Sequence, residues 1–524
     1  MLLIMRIRRQ EYKPLLFTTT VRNPERIKDF IKVIANYSNK VLTNEVIMKI
    51  VKDMIAGKYY YTMYERSNTE LNAIYSDTDA IFTNEQLEDI IENSPQNHKE
   101  AGFDKGWPSR FDTWYKFIKE LGFVYYEMNK PIEISETGNL LLAAELNENP
   151  ELEEQAFLNA LVKYQRNNPF RRVLNENAPF TLVLEVLKLL KNDTEMSNAG
   201  INIKEIPFFL CAKDNNAERI YTKIKELREK YGFDYSDEIV YELCFQELEV
   251  SEEQENRFKI TNIMKEMPDD FIRKLRLTGL ITIRGYGKFI DFNSTELDKI
   301  NYILETYSDY NKYDNEYDYY MYMSKIDSKL INIETKEKQE ITAESTLGKW
   351  AEYFEWNTIK EELQILACNG KSKDSVLKVI SGPTRLEFLI GIAIKKTFEN
   401  VNVKPNYTVD DEGLPRRHAS GGVPDIECYD TKYNSLFEVT LLTGTQQNIR
   451  EMPSICRHLR DQILKNINSF SVFIAPTLHN DSIEYAKFIK FKDNLDIVPL
   501  SINEFIATAE MNSNLEKLLL LKSC

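Results

Sequence analysis

Long apolar runs are missing from this 524-residue sequence. No stretch approaches the roughly 20 consecutive apolar residues that a membrane-spanning helix needs. The N-terminus, MLLIMRIRRQEYK, reaches its first arginine after five residues, too soon for the apolar core of a secretory signal. Paired cysteines are missing as well. Six thiols, Cys211, Cys244, Cys368, Cys428, Cys456 and Cys524, stand singly with no CxxC, so they read as reduced side chains in a cytoplasm rather than as a disulfide framework. An excess of positive charge is also lacking. With 67 basic against 82 acidic residues the net charge is −15, which counts against a simple basic protein that coats nucleic acid. Local basic patches remain open, because net charge is a whole-chain average. What is present is 43% hydrophobic and 11% aromatic residues, enough for several cores. At roughly 150 residues per domain, the length suggests three or four of them.

Residues 1–145 read as a first module. Helical periodicity runs through RIKDFIKVIANYS (26–38) and TNEVIMKIVKDMI (43–55), with Thr43 as N-cap. In SRFDTWYKFIKELGFVYYEMNKPIEISETGNLLL (109–142), a helix with Trp114, Phe117, Ile118 and Leu121 on its apolar face stops at Gly122. Two short strands follow around Asn129-Lys130-Pro131. Helix plus two-stranded wing is the ending of a winged-helix unit, and equally that of an ordinary helix–hairpin corner. Arg110 and Lys116 on this helix are candidate phosphate contacts.

A second copy favours the wing. DDFIRKLRLTGLITIRGYGKFIDF (269–292) repeats the plan, with Gly279 as the break and Gly285-Tyr286-Gly287 as the turn. Between residues 271 and 290 it carries Arg273, Lys274, Arg276, Arg284 and Lys288 and no acid. A helix and wing so charged can neutralise phosphates while presenting side chains to a groove, and a solvated basic face is the bland alternative. This defines a second winged-helix unit at 246–300. Between the two, residues 146–245 are expected to be helical. The stretch KYQRNNPFRRVLNEN (163–177) offers Arg166, Arg171 and Arg172, which could clamp phosphates or cap helices. The tyrosine-rich, acidic segment 301–345 reads as a linker or connecting helix.

The last module, 346–524, carries the chemistry. GPTRLEFLIGIAIKKTF (382–398) is an amphipathic helix with Glu387 inside its apolar stretch. Asp425 follows in VPDIECYD, and Glu438 in SLFEVTLL, a run that fits only an interior strand. A lone carboxylate there costs several kcal/mol unless a cation or hydrogen bonds compensate it. Two carboxylates converging from adjacent strands, with the Val439 carbonyl, suit Mg²⁺, with Mn²⁺ as a substitute. The order helix–strand–strand–strand–helix with acids at 387, 425 and 438 is that of the PD-(D/E)xK nuclease core. One element is absent: the lysine two residues after the strand carboxylate is replaced by Thr440.

The chain also resembles the AlwI-type group of Type IIS restriction endonucleases, which includes MlyI, PleI and related site-specific nicking enzymes. The similar stretches are VRNPERIKDF, KYQRNNPFRRVLNEN, TRLEFLIGIAI, HASGGVPDIE and FEVTL. The resemblance implies a multidomain α+β protein of a prokaryotic cytoplasm. Mostly helical recognition subdomains with winged-helix units would precede a C-terminal nuclease domain similar to that of FokI. It places the functional cluster on Glu387, His418, Asp425, Glu438, Glu451 and His458, and threonine at the lysine position occurs in such relatives. Glu451 and His458, seven apart on the next helix, share a face and are the expected replacements. The implied activity is Mg²⁺-dependent hydrolysis of double-stranded DNA a short distance from an asymmetric site. A homodimer or a small nuclease subunit would supply the second active site, and a cognate methyltransferase would protect the host. A strand-specific nicking enzyme, acting as the large subunit of a heterodimer, is the alternative. A non-catalytic winged-helix DNA-binding protein is the alternative from another class, and the acids at 387, 425 and 438 argue against it.

Overall fold

Helices start where the sequence supplies a cap. In this computed structural model the Thr43 side chain accepts from the Val46 amide to open helix Asn44–Ala56, and Thr62 and Thr83 form capping boxes with Glu65 and Gln86. The structure describes residues 11–17, 24–171, 173–196, 199–249, 258–336, 341–511 and 514–521. Two units share the chain. One comprises Met1–Tyr59, Pro95–Glu145 and Leu152–Lys336; the other comprises Tyr60–Ser94, Leu146–Glu151 and Glu337–Cys524. Two expected divisions cut across them: residues 60–94 fold with the last module, and residues 301–336 with the first. Among the described residues no helix is long and apolar enough to cross a membrane.

The first unit is mainly helical. Helix Trp107–Glu120 buries Phe111, Trp114, Tyr115, Phe117 and Ile118, and ends at Gly122, whose φ of +75° favours glycine. The hairpin after it pairs Val124–Tyr125 with Glu133–Ile134. A third segment joins it unannounced by the sequence: Leu42 donates to the Lys130 carbonyl, and Ile132 to that of Lys40. The second copy, helix Met267–Arg276 with strands Ile281–Arg284 and Phe289–Phe292, likewise gains a third strand, Ile201–Asn202. Its turn is tight because Gly285, Tyr286 and Gly287 all have positive φ. Residues 164–171 and 173–178, within the stretch expected to be helical, are irregular.

The tyrosine-rich stretch is not a loose linker. Helices Leu297–Thr306 and Glu316–Ser324 form, and Tyr319, Tyr320 and Met323 are buried. Tyr302 and Tyr307 donate to Asp327 Oδ2 at 3.0 and 2.6 Å. The aromatic rings supply core area while the hydroxyls find acceptors, so a run that looks polar in sequence packs.

The second unit is built on a five-stranded sheet: β1 (Asn402–Pro405), β2 (Ile426–Tyr429), β3 (Asn434–Val439), β4 (Ser469–Ala475) and β5 (Ile497–Ser501), in spatial order β5-β4-β3-β2-β1. β1, β2 and β3 are antiparallel neighbours. β3, β4 and β5 are parallel because helices Met452–Ile463 and Asn480–Asp493 cross between them. β4 is buried along its whole length, as a central strand covered on both faces must be. Met452, Ile455, Cys456 and Leu459 pack with Phe473, Ile489 and Ile497 into one core cluster.

Candidate active site

The sheet register creates the site. Phe437 of β3 pairs with Ile426 of β2, so one further step sets Asp425 beside Glu438, with both side chains on one face. The Val439 amide donates to Asp425 Oδ2 at 2.7 Å. From helix Gly382–Thr397, Glu387 accepts on Oε2 from the Ala419 amide at 3.0 Å. Glu438 Oε1 lies 2.8 Å from His458 Nδ1. The Thr440 side chain, in the position where a lysine was expected, faces Glu451 and favours its ionised form. Glu451 ends a π-turn, Gln447–Glu451, that leads into helix Met452–Ile463. Pro453 has no amide to donate, and wide turns of this kind recur at functional sites.

Glu387 and Glu438 are 4% and 7% exposed, while Asp425 and Glu451 are half-buried. Enclosure pushes all four carboxyls above the usual range, and each is raised further by a neighbouring acid, Glu148 in the case of Glu451. Asp425 acts on Glu387, Glu438 on Asp425, and Glu451 on Glu438. Among the described residues no lysine or arginine forms an ion pair with any of them, and His458 contacts Glu438 alone. Burial also pushes the His458 imidazole below its ordinary pKa, with Arg457 adding to the effect. The Nδ1 side of the ring faces Glu438, and Nε2 is buried without a hydrogen-bond partner.

Among the described residues no three His, Cys, Asp or Glu side chains are drawn together tightly enough to chelate a metal by themselves. The donor set nevertheless fits a hard divalent cation. Carboxylate oxygens gather, Arg457 and Arg450 offset only part of the repulsion at Glu438 and Glu451, and each of Glu387, Asp425 and Glu438 has one oxygen engaged by a ring or backbone nitrogen.

Of the expected cluster, the structure brings Glu387, Asp425, Glu438, Glu451 and His458 together. His418 is half-buried, and its ring nitrogen lies 2.8 Å from the Ala419 carbonyl, so it supports the loop that holds Glu387 rather than touching the carboxylates. The Ala419 amide and the Thr440 hydroxyl were not legible as participants, because backbone donors and a threonine carry no charge pattern.

The basic residues expected to meet phosphate divide sharply. Lys274 is 1% exposed, bound to Asp270 at 2.5 Å and seated over the Phe17 ring, so it is unavailable to a ligand. Arg166 is buried and donates to the carbonyls of Lys13 and Pro14, and burial pushes its guanidinium down to about 10. Arg171 binds the buried Glu120 and the Leu16 carbonyl. These three hold the fold, a correction that follows from the cost of leaving Asp270 or Glu120 buried and unpaired. Arg284 is paired with Asp291, Lys116 lies 3.9 Å from Glu100, and Arg110 contacts His98 at 2.9 Å. Arg273 and Arg276 are half-buried, and Lys288 is exposed beside the Gly285–Gly287 turn. Arg172 lies outside the described residues.

A mixed sheet with carboxylates on a helix and on two adjacent strands defines a restriction-endonuclease-like fold of the PD-(D/E)xK type. The sequence model of the AlwI restriction endonuclease family matches residues 119–348 and 335–508, and the chain belongs to that family. It is a Type IIS restriction-endonuclease-like protein that acts on duplex DNA through a metal-dependent nuclease domain. No curated protein sequence matches the chain. Among solved structures it is similar to the small subunit of the heterodimeric restriction endonuclease R.BspD6I, at 24% identity over 30% of this chain and 87% of that one, with a TM-score of 0.26. It is also similar to FokI, at 12% identity over 97% of both chains (TM-score 0.25), and to FokI bound to DNA, at 13% identity over 98% of both (TM-score 0.25). Superpositions this loose establish no shared geometry.

Proposed function

We propose that the chain hydrolyses DNA phosphodiester bonds a short distance from an asymmetric recognition sequence, with Asp425, Glu438, the Val439 carbonyl and Glu387 holding Mg²⁺. The observation that carries this reading is the set of four enclosed carboxyls with no basic ion-pair partner among the described residues. When bound, the cation supplies charge to the phosphate oxygens and favours ionisation of the attacking water.

The chain's own residues do the remaining work. The Val439 and Ala419 amides fix the rotamers of Asp425 and Glu387. His458 orients Glu438 through Nδ1 and leaves Nε2 available to substrate or the attacking water. Thr440 faces the Glu451 carboxylate at the edge of the site, in reach of water. His418 keeps the preceding loop in place. In the other unit, the two helix–hairpin elements act as winged-helix readers of duplex DNA, with Lys288, Arg273 and Arg276 contributing phosphate contacts. Arg284, Arg110 and Lys116 are further candidate contacts there.

Each chain carries one such site, so double-strand cleavage requires a second copy or a small nuclease subunit, whereas a lone chain nicks. Incubating supercoiled plasmid with the protein and Mg²⁺ tests the proposal. Linear product supports double-strand cleavage, open circle supports nicking, and intact plasmid overturns the nuclease assignment in favour of a binding protein.

A further inference from the structure

The connection from β3 to helix Met452–Ile463 starts at Thr440 and ends at Glu451, so its path decides where the Glu451 carboxylate stands. One staple is internal. Gln447, fully buried, donates from Nε2 to the carbonyls of Leu442 at 2.9 Å and Thr477 at 2.6 Å, and its Oε1 accepts from the His479 amide at 3.0 Å.

The other staple comes from residues distant in sequence. Residues 60–94 form three short helices, Met63–Ser67, Thr69–Ser76 and Asn84–Glu92, and Asp79 lies in the turn between the second and third. Its Oδ1 accepts from both the amide and the hydroxyl of Thr445, each at 2.7 Å. Its Oδ2 lies 3.1 Å from His479 Nε2. His479 caps helix Asn480–Asp493, with Nδ1 accepting from the Asp481 amide at 3.2 Å. That acceptance leaves the ring proton on Nε2, facing Asp79. The approach is so close that residue 444 has no room for a side chain: Gly444 has φ +68°, and a Cβ there would overlap Thr78 Oγ1 and Asp79 Oδ1.

We infer that Asp79 and His479 are positioning residues for cleavage, fixing the 441–447 turn so that Glu451 meets Thr440 beside the Asp425–Glu438 pair. The inference rests on the nuclease reading above. Both act through the backbone of the turn. A catalytic group displaced by about 1 Å costs up to about 10²-fold in rate, so loosening this turn is expected to be felt in chemistry before it is felt in folding.

The test uses full-length protein. Asp79→Ala is expected to raise amide hydrogen exchange across residues 442–451 by about tenfold or more, as local opening becomes easier. It should also lower the single-turnover cleavage rate about tenfold and raise the Mg²⁺ concentration needed for half-maximal rate. DNA affinity measured in Ca²⁺ and the melting temperature should stay unchanged. Asp79→Asn, which keeps the Oδ1 acceptor, should recover most of the rate, and Gly444→Ala should reproduce the Asp79→Ala behaviour. Wild-type cleavage together with wild-type rate and Mg²⁺ dependence in Asp79→Ala overturns the inference alone. A rate that falls only in step with melting temperature and is not recovered by Asp79→Asn assigns the pair to stability and overturns it too. Wild-type protein that cuts nothing overturns the nuclease reading, and this inference with it.

Discussion

His458 Nδ1 lies 2.8 Å from Glu438 Oε1, and the opposite ring nitrogen is enclosed without a partner. An enclosed nitrogen left without a protein partner is a candidate contact for substrate or the attacking water. His458→Ala is therefore expected to lower the single-turnover cleavage rate on the order of 10²-fold while specific DNA binding in Ca²⁺ is retained. A variant that cuts at nearly the wild-type rate would reduce His458 to a structural prop for Glu438.

The carboxyl cluster trades stability for chemistry. Asp425→Asn and Glu438→Gln should abolish cleavage. In EDTA both should unfold at higher temperature than the wild type, gaining about 1–3 kcal/mol as an enclosed charge is removed. Added Mg²⁺ should raise the wild-type melting temperature by binding the folded form and have little effect on either variant. Thermal scans in EDTA and in Mg²⁺ check both halves; equal Mg²⁺ responses in all three proteins would move the cation elsewhere.

Two lysines of one helix–hairpin element should behave oppositely. Lys274 is buried against Asp270, so Lys274→Met is expected to cost about 3–5 kcal/mol of stability by leaving a lone buried carboxylate. Lys288 is exposed at the hairpin turn, so Lys288→Ala should leave stability unchanged. It should lower the slope of log affinity against log salt by about 1. Urea melts and salt titrations of DNA binding separate the two, and a reversed pattern would withdraw the hairpin from the DNA interface.

The mainly helical unit holds a pH-sensitive carboxyl. Burial, with Glu145 adding to it, pushes Asp29 up to about 6. The folded state thus binds this proton more tightly than the unfolded chain. The associated stability is full below about pH 4 and is lost as pH rises through about 6. Asp29→Asn should consequently stabilise the protein by about 1–2 kcal/mol at pH 7.5, after allowance for partial exposure, and by almost nothing at pH 4. Urea midpoints at the two pH values check the sign.

Much of the nuclease core was legible because burial and charge conflict there. An acid inside LFEVTLL or LEFLIGIAI announces itself, since such runs otherwise exclude carboxylates. The helix start at Thr43 was readable from its cap, and the helix within residues 382–398 from its periodicity. What escaped depends on tertiary pairing. The basic run at 271–276 reads as a DNA-binding face, yet Lys274 turns inward because Asp270, one helical turn earlier, and the Phe17 ring offer it a buried partner and an aromatic seat. The tyrosines near 319 looked like linker because hydroxyls mask the area their rings bury. The strand contributed by Lys40–Leu42 is too short to produce a pattern. Asp79 lies more than 350 residues from the turn it holds, and nothing local marks it.

The unit that contains the carboxyls is written in three separate stretches of the gene product, residues 60–94, 146–151 and 337–524. An engineer who grafts residues 341–524 onto a foreign DNA reader moves the five-stranded sheet and leaves Asp79 behind. A single crossover near residue 340 separates the sheet from the two earlier stretches of its own unit.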